Sequence, residues 1–132
     1  MATLAATRDR PRLRVGLTGA TGLVGTAFAR FLRGLGHTVV PFGRHGRPGV
    51  AAFDALTGAI DAEALEGLDA MVHLAGAPLA VRWTPAAKAR IRDSRVVGTR
   101  ALAEALAACR RPPGVFVSAS AVGFWGHRTA PV

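Results

Sequence analysis

The sequence has no tyrosine, a single cysteine and, among its basic residues, a single lysine, Lys88. Each scarcity excludes something. One cysteine, Cys109, rules out an internal disulfide and suits a reducing compartment. Without tyrosine, no phenol is available as a proton donor or acceptor. No apolar run approaches the roughly 18 residues that a membrane span requires, and the opening MATLAATRDRPR lacks the apolar core of a secretory signal. A soluble, cytoplasmic protein without a membrane partner is expected. Acidic residues are few: eight against seventeen basic ones, for a net charge of +9. That excess resembles a nucleic-acid footprint. However, the arginines are scattered through an Ala/Gly/Arg/Pro-rich sequence, and the aromatic residues, 6% of the chain, do not interleave with them. No stacking platform results, so nucleic acid is disfavoured as a partner.

What is present is half hydrophobic, and 132 residues suffice for one domain around one core. Residues 1–11 are expected to form a flexible leader, and residues 12–132 the domain. RLRVGLT (12–18) reads as a strand. A glycine-spaced turn follows at 19–25, and a helix at 23–35 whose apolar spacing (Leu23, Ala27, Phe31, Leu35) marks its packed face. Gly36 ends that helix where a left-handed residue is wanted. HTVVPF (37–42) reads as a second strand, ended by Pro41. Residues 50–53 suggest a short edge strand, 61–66 a brief helix and 70–74 a compact apolar strand. Thr84 caps a long helix with Pro85 at its first position. Its packed face carries Ile91, Ser94, Gly98, Leu102, Ala105 and Cys109. Pro112-Pro113-Gly114 stops it, and VFVS (115–118) forms the last strand. Alternating strands and helices call for an α/β fold: a Rossmann-type, doubly wound parallel sheet, order 3-2-1-4-5.

The strongest chemical signal is Gly19-Ala20-Thr21-Gly22-Leu23-Val24-Gly25, placed after a strand and opening a helix. One glycine makes the tight turn, one lets backbone approach a pyrophosphate, and one allows close helix–strand packing. Phosphates then meet the free N–H groups and positive dipole of the helix start. The end of the second strand indicates which dinucleotide. An NAD site usually places a carboxylate there for the ribose 2′-hydroxyl. Here the chain reads Phe42-Gly43-Arg44-His45, with Arg47 close by and no carboxylate between Arg10 and Asp54. A guanidinium can pair with a 2′-phosphate through two charge-assisted hydrogen bonds. NADP is therefore favoured as cofactor over NAD.

GATGLVG, the HLAG of residues 73–76, RWTPAAKARIRDSRVVGTRAL and SASAVGFWG together resemble the extended short-chain dehydrogenase/reductase superfamily. More closely, they resemble its atypical NAD(P)-dependent, nucleotide-sugar-epimerase-like branch. The likeness runs from about Leu13 to Gly126. It implies that Gly19, Gly22 and Gly25 hold the pyrophosphate, with the backbone of Thr21 and Leu23 beside it. Arg44 would face the 2′-phosphate and Asp54 the adenine, while Ala75 and Gly76 would lie under the cofactor ribose. Ser120 matches the serine that hydrogen-bonds substrate in superfamily enzymes.

The departures from that pattern matter equally. The superfamily's hydride chemistry uses a tyrosine with a lysine four residues on. Here there is no tyrosine, Lys88 lies in the long helix, and Phe124-Trp125 cannot shuttle a proton. Arg95 stands where an asparagine is usual, and His73 replaces the amide common before LAG. His73 reads as a structural histidine, His37 as a helix-to-strand junction, His127 as part of a polar tail and Cys109 as helix packing. No spacing of His, Cys, Asp or Glu suggests a metal. The resemblance implies the cofactor portion of an NADP-dependent oxidoreductase or epimerase-like protein acting on an unidentified small molecule, its C-terminal substrate portion absent. A non-catalytic NADP(H)-sensing or partner-completed module remains open beside it. The exposed edge of the 115–118 strand is expected to support self-association.

Overall fold

The computed structural model describes residues 11–121. The expected leader up to Arg10, Phe124-Trp125 and His127 lie outside the described residues. Five strands, β1 (Arg14–Thr18), β2 (Thr38–Gly43), β3 (Ala51–Ala52), β4 (Ala70–His73) and β5 (Val115–Ser118), form one parallel sheet in the order β3-β2-β1-β4-β5. This is the doubly wound order expected from the alternation of elements. Among the described residues two helices, α1 (Leu23–Gly34) and α2 (Pro85–Ala107), cover opposite faces, and a 3-10 turn (Glu63–Leu65) precedes β4.

Strand alternation divides the core in two. Val15, Leu17 and Val72 point towards α1 and pack with Ala29 and Leu32. Phe42 and Met71 point the other way and pack with Phe53, Leu65, Leu68, Leu102 and Leu106 beneath α2. β5 closes one side of the described sheet, with Val115, Phe116 and Val117 all exposed.

Three readings from periodicity need correction. α1 buries Gly25, Ala29 and Leu32, whereas Leu23 is 93% and Phe31 58% exposed. The side chosen by its large apolar residues faces away from the sheet, because small residues let the helix lie closer. Pro41 does not end β2 but sits within it, in register with Leu17. Thr38 N–H donates to Leu13 O at 2.9 Å, so alternation turns position 41 away from β1, before the register with β3 begins at Phe42. The missing proline N–H therefore deprives no ladder bond. On α2 the buried set is Ser94, Gly98, Leu102 and Leu106, with Ile91, Ala105 and Cys109 only half-buried.

The helix ends behave as their residues require. α1 stops in a Schellman arrangement. Gly36 takes φ 84°, His37 N–H donates to Leu32 O (3.0 Å) and Gly36 N–H to Arg33 O (2.9 Å). His37 then accepts Leu13 N–H on Nδ1 at 3.1 Å, joining the helix end to the first strand. Thr84 caps α2 by accepting Ala87 N–H on Oγ1 at 3.1 Å. Beyond α2, the Glu66 carboxylate accepts the N–H groups of Arg110 (2.8 Å) and Arg111 (3.1 Å). These backbone bonds hold its pKa below the ordinary glutamate value. Burial pushes the Cys109 thiol pKa upward, with the Glu66 charge adding to the shift, as befits an inert packing residue.

Gly98 marks a close approach of α2 to the chain beneath it. A Cβ there would lie 2.8 Å from Ala55 O and 2.9 Å from Ala55 Cα, whereas one at Gly34 in α1 meets nothing within 4 Å. Alanine favours a helix interior over glycine by about 1 kcal/mol, so the two sites separate propensity from packing. Gly98→Ala is expected to destabilise by about 1–3 kcal/mol and Gly34→Ala to be neutral or stabilising. Equal urea midpoints for the two variants would contradict this account of how α2 docks.

Candidate cofactor-binding cleft

A cleft of about 520 Å³ opens at the carboxyl ends of the strands. One wall is the reversal after β1, with Gly19, Ala20, Thr21 and Gly22; the opposite wall is the reversal after β4, from Leu74 to Pro78. The end of β2 adds Arg44, His45 and Arg47, the segment after β3 adds Asp54 and Leu56, and α2 adds Arg90 and Ser94. The two walls leave β1 and β4, neighbours whose connections run to opposite sides of the sheet. That is the switch point at which doubly wound sheets bind ligands.

The three glycines of the first reversal do different work. Gly19 takes φ 69°, and a Cβ there would sit 2.8 Å from Leu74 C, so the turn presses on the opposite wall. Gly25 is buried, and a Cβ on it would overlap the Gly19 carbonyl. Gly22 has an extended backbone (φ −76°, ψ 174°), and a Cβ there would meet only Gly19 O, at 3.3 Å. Nothing in the turn's own conformation requires glycine at 22; what glycine leaves there is open space on the cleft side.

Gly22 is also the residue that begins α1. It has no side chain to cap the helix, and the first turn contains no acidic residue. Gly22 N–H turns inward to Gly19 O at 3.0 Å, and the first intrahelical bond is Thr26 N–H to Gly22 O at 2.9 Å. The N–H groups between them have no place in the helix ladder and carry the positive end of its dipole. An uncapped helix start beside a side-chain-free wall is the chemistry a pyrophosphate needs, so the residues present fit a dinucleotide.

Arg44 and Arg47 are exposed and, among the described residues, pair with no carboxylate. Asp54 is half-buried and accepts Leu56 N–H on Oδ1 at 2.8 Å, which folds the segment into an Asx turn along the cleft. Ser94, fully buried, accepts Ala77 N–H at 2.9 Å and donates to Ile91 O at 3.0 Å, pinning the second wall to α2. Arg95 supports the same wall. Its Nη1 donates to Ala77 O (3.3 Å) and Ile91 O (3.1 Å), with the guanidinium against Gly76.

Most of the residues singled out from sequence meet in this cleft: Gly19, Thr21, Gly22, Arg44, Asp54, Ala75 and Gly76. Leu23 and Gly25 do not line it, one being exposed on α1 and the other packed behind the turn. Ser120 lies elsewhere, in an open hollow with Thr99, Arg100, Ala103 and Ser118. Arg95 stands between the two, lining that hollow while holding Ala77 of the cleft. Arg90 was missed from sequence. Its signal was its place one turn before Ser94, on the side of α2 already read as packed. No cluster of potential metal ligands occurs among the described residues, and none of their helices is long and apolar enough to cross a membrane.

The sequence profile of the NAD dependent epimerase/dehydratase family matches residues 15–131. An epimerase family protein of Mycobacterium bovis is 36% identical over 118 residues, covering 86% of this chain and 38% of that protein. The human epimerase family protein SDR39U1, solved with NADPH, superposes with a TM-score of 0.73 at 31% identity, covering 89% of this chain and 40% of that one. A short-chain dehydrogenase/reductase superfamily protein from Agrobacterium tumefaciens, solved with bound NAD, gives a TM-score of 0.60 at 32% identity, over 82% of this chain and 32% of that one. The chain thus spans well under half the length of these relatives.

The glycine geometry separates folding from cleft shape. Gly22→Val is expected to fold with a melting temperature within a few degrees of the parent. Gly25→Ala should lose about 1–3 kcal/mol of stability or fail to fold, since a helix and a turn must part to admit one methyl. A Gly25→Ala variant as stable as the parent, by thermal melt, would mean that α1 does not start where it is drawn.

Proposed function

The chain belongs to the NAD dependent epimerase/dehydratase family, and we propose that it forms the NADP-binding portion of an oxidoreductase or nucleotide-sugar-epimerase-like protein. One observation carries this reading: the uncapped start of α1 and the unpaired guanidinium of Arg44 open onto the same cleft. In this reading the helix start takes the pyrophosphate and Gly22 admits it. Arg44, aided by Arg47, takes the adenosine 2′-phosphate; Asp54 borders the adenine, and Ala75 and Gly76 lie under a ribose. Bound there, the dinucleotide would supply hydride chemistry, and the chain's part is to bind and orient it. Residues 12–132 are assigned to this domain and 1–11 to a leader. Ser120 is assigned to the substrate side, and a substrate portion corresponds to the part of the relatives that this chain does not span. A cytoplasmic location is part of the proposal, consistent with the single cysteine.

NADP preference is inferred from Arg44 and from the lack of a carboxylate at the end of β2. A hydrogen bond to a charged group is worth about 1.5–3 kcal/mol, or roughly tenfold and more in affinity. Arg44→Ala should weaken NADPH binding by at least that factor in a fluorescence titration and leave NADH nearly unchanged. Gly22→Val should abolish binding of both while remaining folded by circular dichroism. Equal affinity of the parent chain for NADPH and NADH would overturn the cofactor assignment.

A second reading is a non-catalytic module that senses NADP(H) or is completed by a partner; the 132 residues themselves hold no tyrosine. General acid–base catalysis is typically worth 10²–10⁴ in rate, and no phenol here can supply it. The 132-residue chain alone should bind NADPH without turning over carbonyl or nucleotide-sugar substrates. Steady NADPH oxidation that disappears in Ser120→Ala would contradict this.

Self-association through β5 is also proposed. Val115 and Val117 point to the face of the sheet on which α1 lies, yet they are 53% and 48% exposed, and Phe116 opposite is 38% exposed. Among the described residues β5 pairs only with β4, so its other edge presents unpaired backbone groups. Sedimentation velocity should show mass increasing with concentration, and Val117→Lys should suppress it. A concentration-independent monomer would dispose of the idea.

A further inference from the structure

Thr18 ends β1 and His73 ends β4, side by side in register and both buried. The Thr18 oxygen accepts two backbone N–H groups, from Leu74 at 3.0 Å and from Ala75 at 3.1 Å. It also lies 2.7 Å from His73 Nδ1. A hydroxyl has two lone pairs and one hydrogen. With both lone pairs engaged, the hydrogen is what remains for His73, so Thr18 donates and Nδ1 accepts. This fixes the imidazole as the neutral tautomer that carries its proton on Nε2.

The network joins the two walls of the cleft. Leu74 and Ala75 are cleft residues, and the same Leu74–Ala75 peptide lies against Gly19, where a Cβ would be 2.8 Å from Leu74 C and 3.0 Å from Ala75 N. A proton on Nδ1 cannot be accommodated as the atoms stand. It would face an oxygen with no free lone pair, and the hydroxyl hydrogen would lose its acceptor. Either Thr18 turns, releasing the Leu74 and Ala75 N–H groups, or His73 leaves its place against Phe53, whose ring it meets edge-on at 5.5 Å.

We propose that Thr18 and His73 are positioning residues that hold the two cofactor loops at their working separation only while His73 is neutral, so that dinucleotide binding is linked to a proton. This rests on the cofactor reading above. Burial lowers the His73 pKa below the ordinary histidine value and is the sole cause of the shift. The elements packed around it bring little charge. β1 and β5 offer Thr18 and Ser118, Asp54 follows Phe53 along the cleft, and α2 contributes Arg95, committed to Ala77 O and Ile91 O, and Arg90 at the cleft wall. With the folded pKa below the unfolded one, the neutral network is fully populated above about pH 6.5. It is lost as pH falls through the folded value.

The test combines histidine ¹⁵N spectra with NADPH titrations from about pH 8 to pH 5. The spectra of the free protein should show His73 with its proton on Nε2. The NADPH Kd should begin to rise at the pH where those spectra report His73 protonation, approaching tenfold per pH unit. The 2′-phosphate titrates near pH 6 as well, but its contribution is common to all variants. His73→Asn, whose Oδ1 accepts the Thr18 hydrogen without titrating, should show only that shared part. Thr18→Val should weaken NADPH binding at least about tenfold at pH 8, and Thr18→Ser should recover most of the loss. If Thr18→Val does not fold, Thr18→Ser and the His73→Asn profile decide. Acid dependence identical in parent and His73→Asn would overturn the latch while leaving the cofactor reading intact. So would a proton on Nδ1, or a His73 that stays neutral until acid unfolding. No NADPH binding at pH 8 would defeat the cofactor reading itself, and the latch with it.

Discussion

The carbonyl of Gly19 sits where a turn, a helix start and a neighbouring wall press together, and the cleft depends on that crowding. It accepts Gly22 N–H at 3.0 Å, leaves no space for a Cβ on Gly25, and belongs to a residue whose φ of 69° brings it against the Leu74–Ala75 peptide. One peptide group therefore sets the sharpness of the turn after β1, the depth at which α1 begins and the distance to the wall beyond β4. Glycine is used here for volume as much as for conformation. Only Gly19 of the three takes a left-handed backbone. At Gly25 the requirement is contact, and at Gly22 it is the absence of anything on the cleft side.

The same economy explains why much of the fold was legible and where reading it went astray. Alternation of apolar runs with helix signals gave the strand order, because a parallel sheet with right-handed crossovers leaves few arrangements. Thr84-Pro85 gave the start of α2 and Gly36 the end of α1, because caps are local chemistry. The packed face of α1 was misread for a non-local reason. Leu23 and Phe31 are the large apolar residues, but Gly25 and Ala29 are what fit beside the turn and the sheet. Periodicity weighted by size finds the bulkiest stripe, whereas close packing selects the smallest. Pro41 misled similarly. Whether a strand proline costs a ladder bond depends on which neighbour its nitrogen faces, and that is a property of register.

Within the site, the residues of the glycine turn were readable because their spacing is confined to seven consecutive positions. The supporting contacts were not. Thr18 with His73, Ser94 with Ala77 and Arg95 with Gly76 join segments 17 to 55 positions apart, or close to it, and none has a motif of its own. His73 illustrates the limit. It reads from sequence as a structural histidine, and it is buried and bonded to Thr18. The direction of that bond follows only from counting the other donors around one hydroxyl. Ser120 shows the opposite limit: adjacent to a readable strand, it falls in a second hollow, which it shares with Arg95 and Ser118.

The charge excess, ambiguous in the sequence, becomes divisible once the side chains have places. Arg14 donates to Glu66 O, Arg92 pairs with Asp93 at 2.8 Å, Arg95 holds Ala77 O and Ile91 O, and Arg110 lies near the Glu66 carboxylate. These cations serve chain reversals and helix surfaces, and two of the four, Arg14 and Arg95, meet backbone carbonyls, which guanidinium groups can bond where no carboxylate is at hand. Arg44, Arg47 and Arg90 instead line one cleft from two different elements and have no carboxylate partner among the described residues. A footprint for a nucleic-acid backbone would be a stripe of solvated cations along a face. Three cations lining a cleft of about 520 Å³, with an uncapped helix start in its opposite wall, form a concave cluster and not such a stripe. The excess is thus of three kinds: cations engaged in the fold, three facing a site of dinucleotide size, and others such as Arg12, Arg30, Arg33, Arg82 and Arg100 that have no carboxylate partner among the described residues and lie outside that site.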